Sequence, residues 1–194
     1  MPPPAFGGNP FKLAFIGSHG VGKTTLCYGL AARLKARDLA VEVVHEIARR
    51  CPLPINEETS VASESWILHA QIAEEIVARN RYEVVLCDRS ALDNYVYLLL
   101  ATGPQPGLDE LVARWTATYD LLVYVPVVEE PSPDGVRSRD PAFQRAVDRR
   151  LEQELEVRGI EPVRLDPGRR GDWLDVVEAE VLERLRPPQL SLLE

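Results

Sequence analysis

Residues 17–24 read Gly17-Ser18-His19-Gly20-Val21-Gly22-Lys23-Thr24, which satisfies the spacing G-x-x-x-x-G-K-[ST] at every position. These residue types define a chemistry. Glycines let the backbone approach a bulky anion with no Cβ in the way, and successive N–H groups at a helix start surround that anion with fixed positive dipoles. Lys23 adds a mobile charge for the β- and γ-phosphates of a nucleotide, and the Thr24 hydroxyl is a hard oxygen ligand for magnesium. Gly17, Ser18, Gly20, Val21, Gly22, Lys23, Thr24 and the adjacent Thr25 are therefore the predicted nucleotide-binding segment. His19 is read as a surface residue with no role.

Phosphate binding alone does not separate a kinase, a GTPase switch and a mechanical ATPase. The run VVLCDRS narrows the choice, because an apolar strand ending at Asp88 places a carboxylate where it can reach magnesium, or its waters, from across a sheet. An ATPase that activates water commonly has a second acid directly after this one, and here the neighbour is Arg89. No N-K-x-D guanine-reading motif occurs, which counts against a conventional GTPase switch. Arg89 offers a two-pronged donor to a transferring phosphoryl group, with a structural pairing to a nearby acid as the alternative. Glu46 closes the run VEVVHE and is a candidate to accept the proton of an acceptor hydroxyl; the alternative is a helix cap or an ion pair with Arg49 or Arg50. His45 is read as structural.

Five arginines fall within fourteen residues, Arg137, Arg139, Arg145, Arg149 and Arg150, in an otherwise acidic chain. They predict an Arg-rich lid that closes on phosphates and excludes water, with Arg137 in a catalytic role and Arg139 on the nucleotide. Arg149 and Arg150 fit equally well on a solvated helix beside Glu152, Glu154 and Glu156. Trp66, Gln71 and Glu75 share one helix and can stack on and pair with a planar ring, although core packing explains the tryptophan as well. Asp93 and Tyr97, one turn apart, are candidates to reach a ribose.

Positioning these groups requires a particular scaffold. Strand-like runs at 12–17, 40–46, 83–88, 120–127 and 162–165 alternate with helix-like runs at 22–37, 61–81, 91–103, 108–118, 141–158 and 172–186. In the first helix Leu26, Leu30 and Leu34 form the apolar stripe, and in the second Leu68, Ile72 and Ile76 do so. That alternation predicts an α/β fold with a five-stranded parallel sheet flanked by helices, in which acids at strand ends face the crevice where such sheets bind ligands. One domain is expected over residues 11–186, between a flexible leader at 1–10 and a tail at 187–194.

The chain has 194 residues, 45% of them hydrophobic, and a formal net charge of −8. At this length folding buries roughly 70% of the extended surface, enough for a core without disulfides or a structural metal. The acidic balance argues against duplex nucleic acid as a partner, so any cationic site must be focused. Cys27, Cys51 and Cys87 make neither a C-x-x-C pair nor a framework and are read as buried small residues in a reducing compartment. The start, MPPPAFGGNP, lacks the basic and apolar regions of a signal peptide, and no apolar run approaches the roughly 18 residues that span a membrane. A cytoplasmic monomer or homodimer is the expectation.

Taken together, GSHGVGKTT, HEIAR, the helix with Q-x-x-x-E, VVLCDRS with a downstream tyrosine, and PDGVRSRDPAFQ resemble the NadR-like AAA-domain family, which includes the ribosylnicotinamide kinase domains. The resemblance runs from about residue 12 to 185 and extends more distantly to deoxynucleoside and thymidylate kinases. It implies a P-loop NTPase fold of the nucleoside/nucleotide kinase type, binding ATP or GTP with magnesium. By the same resemblance Glu46 is the base or acceptor-hydroxyl ligand, Asp88 the magnesium-side acid, Arg89 a phosphoryl clamp and Arg137 a lid residue. The implied activity is transfer of the γ-phosphate to a nucleoside-like or nucleotide acceptor. A non-catalytic nucleotide-binding regulatory module, and an NTPase or polynucleotide-end kinase, are the alternatives. The family's ribosylnicotinamide kinases usually carry a fused adenylyltransferase domain, which this chain lacks, so the acceptor is not carried over.

Overall fold

Five apolar runs form the five strands of one parallel sheet: β1 (Phe11–Ile16), β2 (Val41–Val44), β3 (Val84–Cys87), β4 (Leu121–Tyr124) and β5 (Val163–Arg164). The structure is a computed structural model and describes residues 10–129 and 140–185. Strand order is β2-β3-β1-β4-β5, and every pairing is parallel. Parallel strands need crossovers, and the helices α1 (Lys23–Lys35), α2 (Val61–Arg79), α3 (Ala91–Thr102), α4 (Pro106–Thr116) and α5 (Pro141–Val157) supply them, while α6 (Trp173–Leu185) follows β5. Because β1 lies between β3 and β4, the chain leaves it toward one side for β2 and β3 and later returns on the other. That reversal opens a crevice at the carboxyl ends of β1 and β3.

Both faces of the sheet are covered, so its strands are apolar on both sides rather than alternating. On one face Leu13, Phe15, Leu86 and Val123 pack against Leu30 and Leu34 of α1 and Val177 and Val181 of α6. On the other, Ala14, Ile16, Val85 and Cys87 pack against α2 to α5 through Leu68, Leu92, Val96, Val147 and Leu151. Gly29 lets α6 lie close to α1, since a Cβ there would stand 3.1 Å from Leu174. Leu68 holds its predicted place in the core, whereas Ile76 is 48% exposed because the buried stripe of α2 turns through Gln71, Glu75 and Ala78. The stripe is thus partly polar.

The polar part is an ion pair. Lys12, on the central strand, donates to Glu75 at 2.7 Å, and both side chains are wholly buried. Burying two such charges costs several kcal/mol per ion before they attract one another, so the partners must be well bonded for the fold to tolerate them. Trp115, Tyr119 and Gln71 also donate to Glu75. Among the described residues no helix is long and apolar enough to cross a membrane.

Candidate active site

The loop between β1 and α1 is shaped by its glycines. Gly17 has φ +144, and a Cβ there would stand 2.5 Å from the Val125 carbonyl oxygen of the next strand's end, which no side chain tolerates. Gly22 caps α1 at φ +100 and contributes no side chain to the helix's first N–H groups, leaving the positive end of the helix facing the loop. Lys23 lies over the loop, with Nζ donating to the carbonyls of Gly17 at 2.9 Å and Ser18 at 2.6 Å. Burial, reinforced by the charge on Arg89, lowers its pKa to about 7. Val21 is buried and Thr25 exposed.

Helix α5 braces the same loop from outside. Ser18 donates through Oγ to the Gln144 carbonyl at 2.8 Å, and Gln144 Nε2 donates to the His19 carbonyl at 2.8 Å. His19 is not the surface residue expected from its loop position; it is 1% exposed. Its ring sits against Tyr97 and Phe143, with centroids 6.4 and 5.8 Å away, and Nδ1 shares a 3.2 Å hydrogen bond with the Tyr97 hydroxyl.

Because β1 and β3 are neighbours, the start of α1 meets the end of β3. Thr24 Oγ1 donates to Asp88 Oδ2 at 2.7 Å. Burial raises the Asp88 pKa, opposed by the Thr24 hydrogen bond and the charge of Lys23. A hydroxyl and a carboxylate in contact are the hard oxygen pair that suits magnesium, an ion that takes few protein ligands and draws the rest from phosphate and water. Among the described residues no group of three histidine, cysteine, aspartate or glutamate side chains is placed to hold a metal alone. The donor set fits a metal delivered with a nucleotide.

Glu46 lies two residues beyond β2, at the cap of a single 3-10 turn over Ile47–Arg50. Its Oε1 accepts from Arg89 Nε at 2.7 Å and its Oε2 from Arg49 Nε at 2.8 Å, so the paired-acid arrangement holds, while Arg50 turns away to Glu74. Arg89 has φ +144, a conformation a non-glycine residue rarely adopts. Its guanidinium is buried, with Nη1 3.5 Å from Asp93 Oδ2, Nη2 donating to the Tyr97 hydroxyl at 3.3 Å and the Tyr97 ring 5.1 Å beneath. Burial alone pulls its pKa down, but Tyr97, Glu46 and Asp93 raise it well above the ordinary value. Asp93 is occupied twice: beside Arg89, it closes a capping box with Ser90 at the start of α3.

These groups border a small cavity of about 20 Å³ lined by Glu46, Glu64, Ile67, Arg89, Asn94 and Tyr97 among others, room for about one water. Glu64 and Asn94 are polar lining residues that the sequence did not single out. Glu64 accepts from Thr59 at 2.7 Å, and burial pushes its carboxyl up to about 7. Asn94 is 3% exposed, and its Nδ2 has no hydrogen-bond partner among the described residues. The signal available for Asn94 was an amide inside the apolar helix ALDNYVYLLL.

Other expected groups are not brought here. Gln71 and Glu75 are wholly buried, and Trp66 is 37% exposed, so the three do not form a ring-binding surface; Glu75 serves Lys12 instead. Arg137 and Arg139 lie outside the described residues. On α5, Arg145 and Arg149 are exposed and Arg150 pairs with Glu154 at 2.8 Å, the solvated-helix arrangement. His45 stacks on Tyr28 at the surface, and Cys51 is half-buried whereas Cys27 and Cys87 are buried. Arg170, which sequence reading passed over, comes within 4.0 Å of where a Cβ on Gly22 would stand and pairs with Glu129 at 2.8 Å.

The AAA domain family model matches residues 12–173. No curated protein matches. Among solved structures, that of deoxyadenosine kinase from M. mycoides with the products dCMP and a flexible dCDP bound is similar with a TM-score of 0.63 at 16% identity, covering 89% of this chain and 100% of that one. The same kinase with bound dATP gives a TM-score of 0.64 at 15% identity over 89% of this chain and 99% of that one. The α/β fold, with its five-stranded parallel sheet flanked by helices, is that of the P-loop nucleoside kinases.

Proposed function

This chain belongs to the AAA domain family, and on that footing we propose that it is a P-loop kinase transferring the γ-phosphate of ATP to the hydroxyl of a nucleoside-like acceptor. The observation that carries the reading is the convergence of Thr24 with Asp88 and of Arg89 with Glu46 beside one glycine-shaped phosphate loop. The backbone amides after Gly17 and at the start of α1 hold the nucleotide phosphates, and Lys23 leaves its loop carbonyls to meet the β- and γ-phosphates. Thr24 and Asp88 would hold a magnesium ion brought with the nucleotide, which would neutralise phosphate charge. Glu46 accepts the proton of the acceptor hydroxyl as its oxygen bonds to the γ-phosphorus and the bond to the bridging oxygen of ADP breaks. Arg89, held in place by Glu46, Asp93 and Tyr97, stabilises the charge on the transferring group. Arg137 and Arg139 supply further charge from the lid.

The ribosylnicotinamide kinase activity of the resembling family is one acceptor choice, and the orphaned Asn94 amide and the Glu64 carboxyl beside Arg89 suit an acceptor with a polar edge. At about 20 Å³ the cavity has room for about one water, so an acceptor of nucleoside size has to widen it. Three free cysteines support a reducing, cytoplasmic setting. The test is Glu46→Gln: nucleotide affinity measured by titration stays as in the parent while phosphate transfer falls about 100-fold or more. Equal nucleotide affinity with no transfer by the parent to any nucleoside would favour the regulatory module.

A further inference from the structure

Glu75 lies on α2, outside the residues given a chemical role, yet its two oxygens accept four hydrogen bonds. Its Oε2 accepts from Lys12 Nζ and from Trp115 Nε1, each at 2.7 Å. Its Oε1 accepts from the Tyr119 hydroxyl at 2.6 Å and from Gln71 Nε2 at 2.8 Å. Lys12 also sits over the faces of Tyr119 and Trp115, 4.0 and 4.6 Å from their centroids. The two residues bound to Oε1 both reach onward. Gln71 Nε2 donates to the Arg89 carbonyl at 3.2 Å, and the Tyr119 hydroxyl accepts from the Ala91 amide at 3.2 Å.

A single buried carboxylate therefore grips the turn from Arg89 to Ala91 by two arms. That turn needs gripping: Arg89 has φ +144, a conformation that persists only where its surroundings over-determine it. A wholly buried ion pair is a weak stabiliser compared with apolar packing of the same volume, and fixing the geometry of its neighbours is a role such a pair can serve. We propose that Glu75 is a positioning residue for Arg89, locking the Arg89–Ala91 turn through Gln71 and Tyr119 so that the guanidinium stays aimed at Glu46. Lys12 and Trp115 hold the anchor; the two arms carry it to the site. The kinetic consequence rests on the reading of Arg89 as a phosphoryl clamp, while the structural consequence does not.

The experiment uses the full chain and reads hydrogen exchange at the arginine Nε–H groups by nuclear magnetic resonance. Tyr119→Phe removes one arm and leaves every charge in place. Lys12→Met combined with Glu75→Gln removes the anchor without stranding a buried charge. Both variants are expected to accelerate exchange at Arg89 Nε–H at least tenfold, with Arg37 Nε–H, which bonds Glu178 at 2.9 Å on the opposite face of the sheet, unchanged as the control. In transfer assays kcat falls and nucleotide affinity holds, and in an Arg89→Lys background Tyr119→Phe produces no further loss. Unchanged exchange at Arg89 in a folded variant, or equal acceleration at Arg89 and Arg37, overturns the proposal. If the parent transfers no phosphate, the kinase reading fails and the exchange result still decides the role of Glu75.

Discussion

Glu46 and Glu64 show how burial and partners give two carboxyls in one pocket different behaviour. Glu46 is clasped by Arg89 and Arg49, whereas burial pushes the Glu64 carboxyl from 4.5 to about 7 against the opposing pull of the Thr59 hydroxyl donor and the Arg89 charge. A group whose folded-state pKa is raised contributes stability that is fully present below the unfolded value and is lost as pH rises through the folded one. Glu64 therefore contributes most below about pH 4.5, and that contribution disappears by about pH 7. At most about 3 kcal/mol is involved. Denaturant unfolding at several pH values between 4.5 and 7.5 is expected to show that Glu64→Gln gains on the parent protein as pH rises. A constant difference between the two across that window would place the titration elsewhere. The nucleotide loop, Asp88 and Arg89 were legible because their chemistry is local in sequence. Glu64 and Asn94 were not, because what singles them out is burial beside a pocket assembled from α2, α3 and the end of β2.

The elements show the same division. Strand and helix order followed from apolar runs and turn formers, and the boundaries shifted by a few residues, as with β2 ending at Val44 rather than 46. Long-range pairing left weaker traces: the alignment of Lys12 with Glu75 joins residues 63 positions apart and put polar groups on the buried stripe of α2. The glycine at the end of β1 is an element-level constraint of the legible kind. Gly17→Ala imposes a positive φ on a Cβ that overlaps the Val125 carbonyl, so the turn from β1 into α1 cannot close. The expected result is loss of more than about 3 kcal/mol in thermal or denaturant unfolding, with nucleotide binding abolished. At the start of α3, Ser90→Ala removes the capping box and should cost about 1 kcal/mol, seen as a lower unfolding midpoint.

For the molecule as a whole, the phosphate loop is held by β1, α1, α5 and the end of β4 together, so a ligand there stabilises the entire fold. At 100 times its dissociation constant, magnesium-ATP should add about 2.7 kcal/mol and raise the melting temperature by about 5–10 °C. Lys23→Ala should abolish that rise while leaving the unliganded melting temperature close to the parent's. The family match gives an AAA domain and the fold is that of the P-loop nucleoside kinases, and the catalytic claim goes beyond both. It is tested most directly by incubating the protein with ATP, magnesium and a panel of nucleosides, ribosylnicotinamide and nucleoside monophosphates, with phosphorylated acceptor and ADP both read by mass spectrometry. The account predicts one acceptor class phosphorylated in step with ADP release far above the rate with water, and loss of that product in Glu46→Gln. Tight ATP binding with no acceptor phosphorylated, or transfer undiminished in Glu46→Gln, would contradict it.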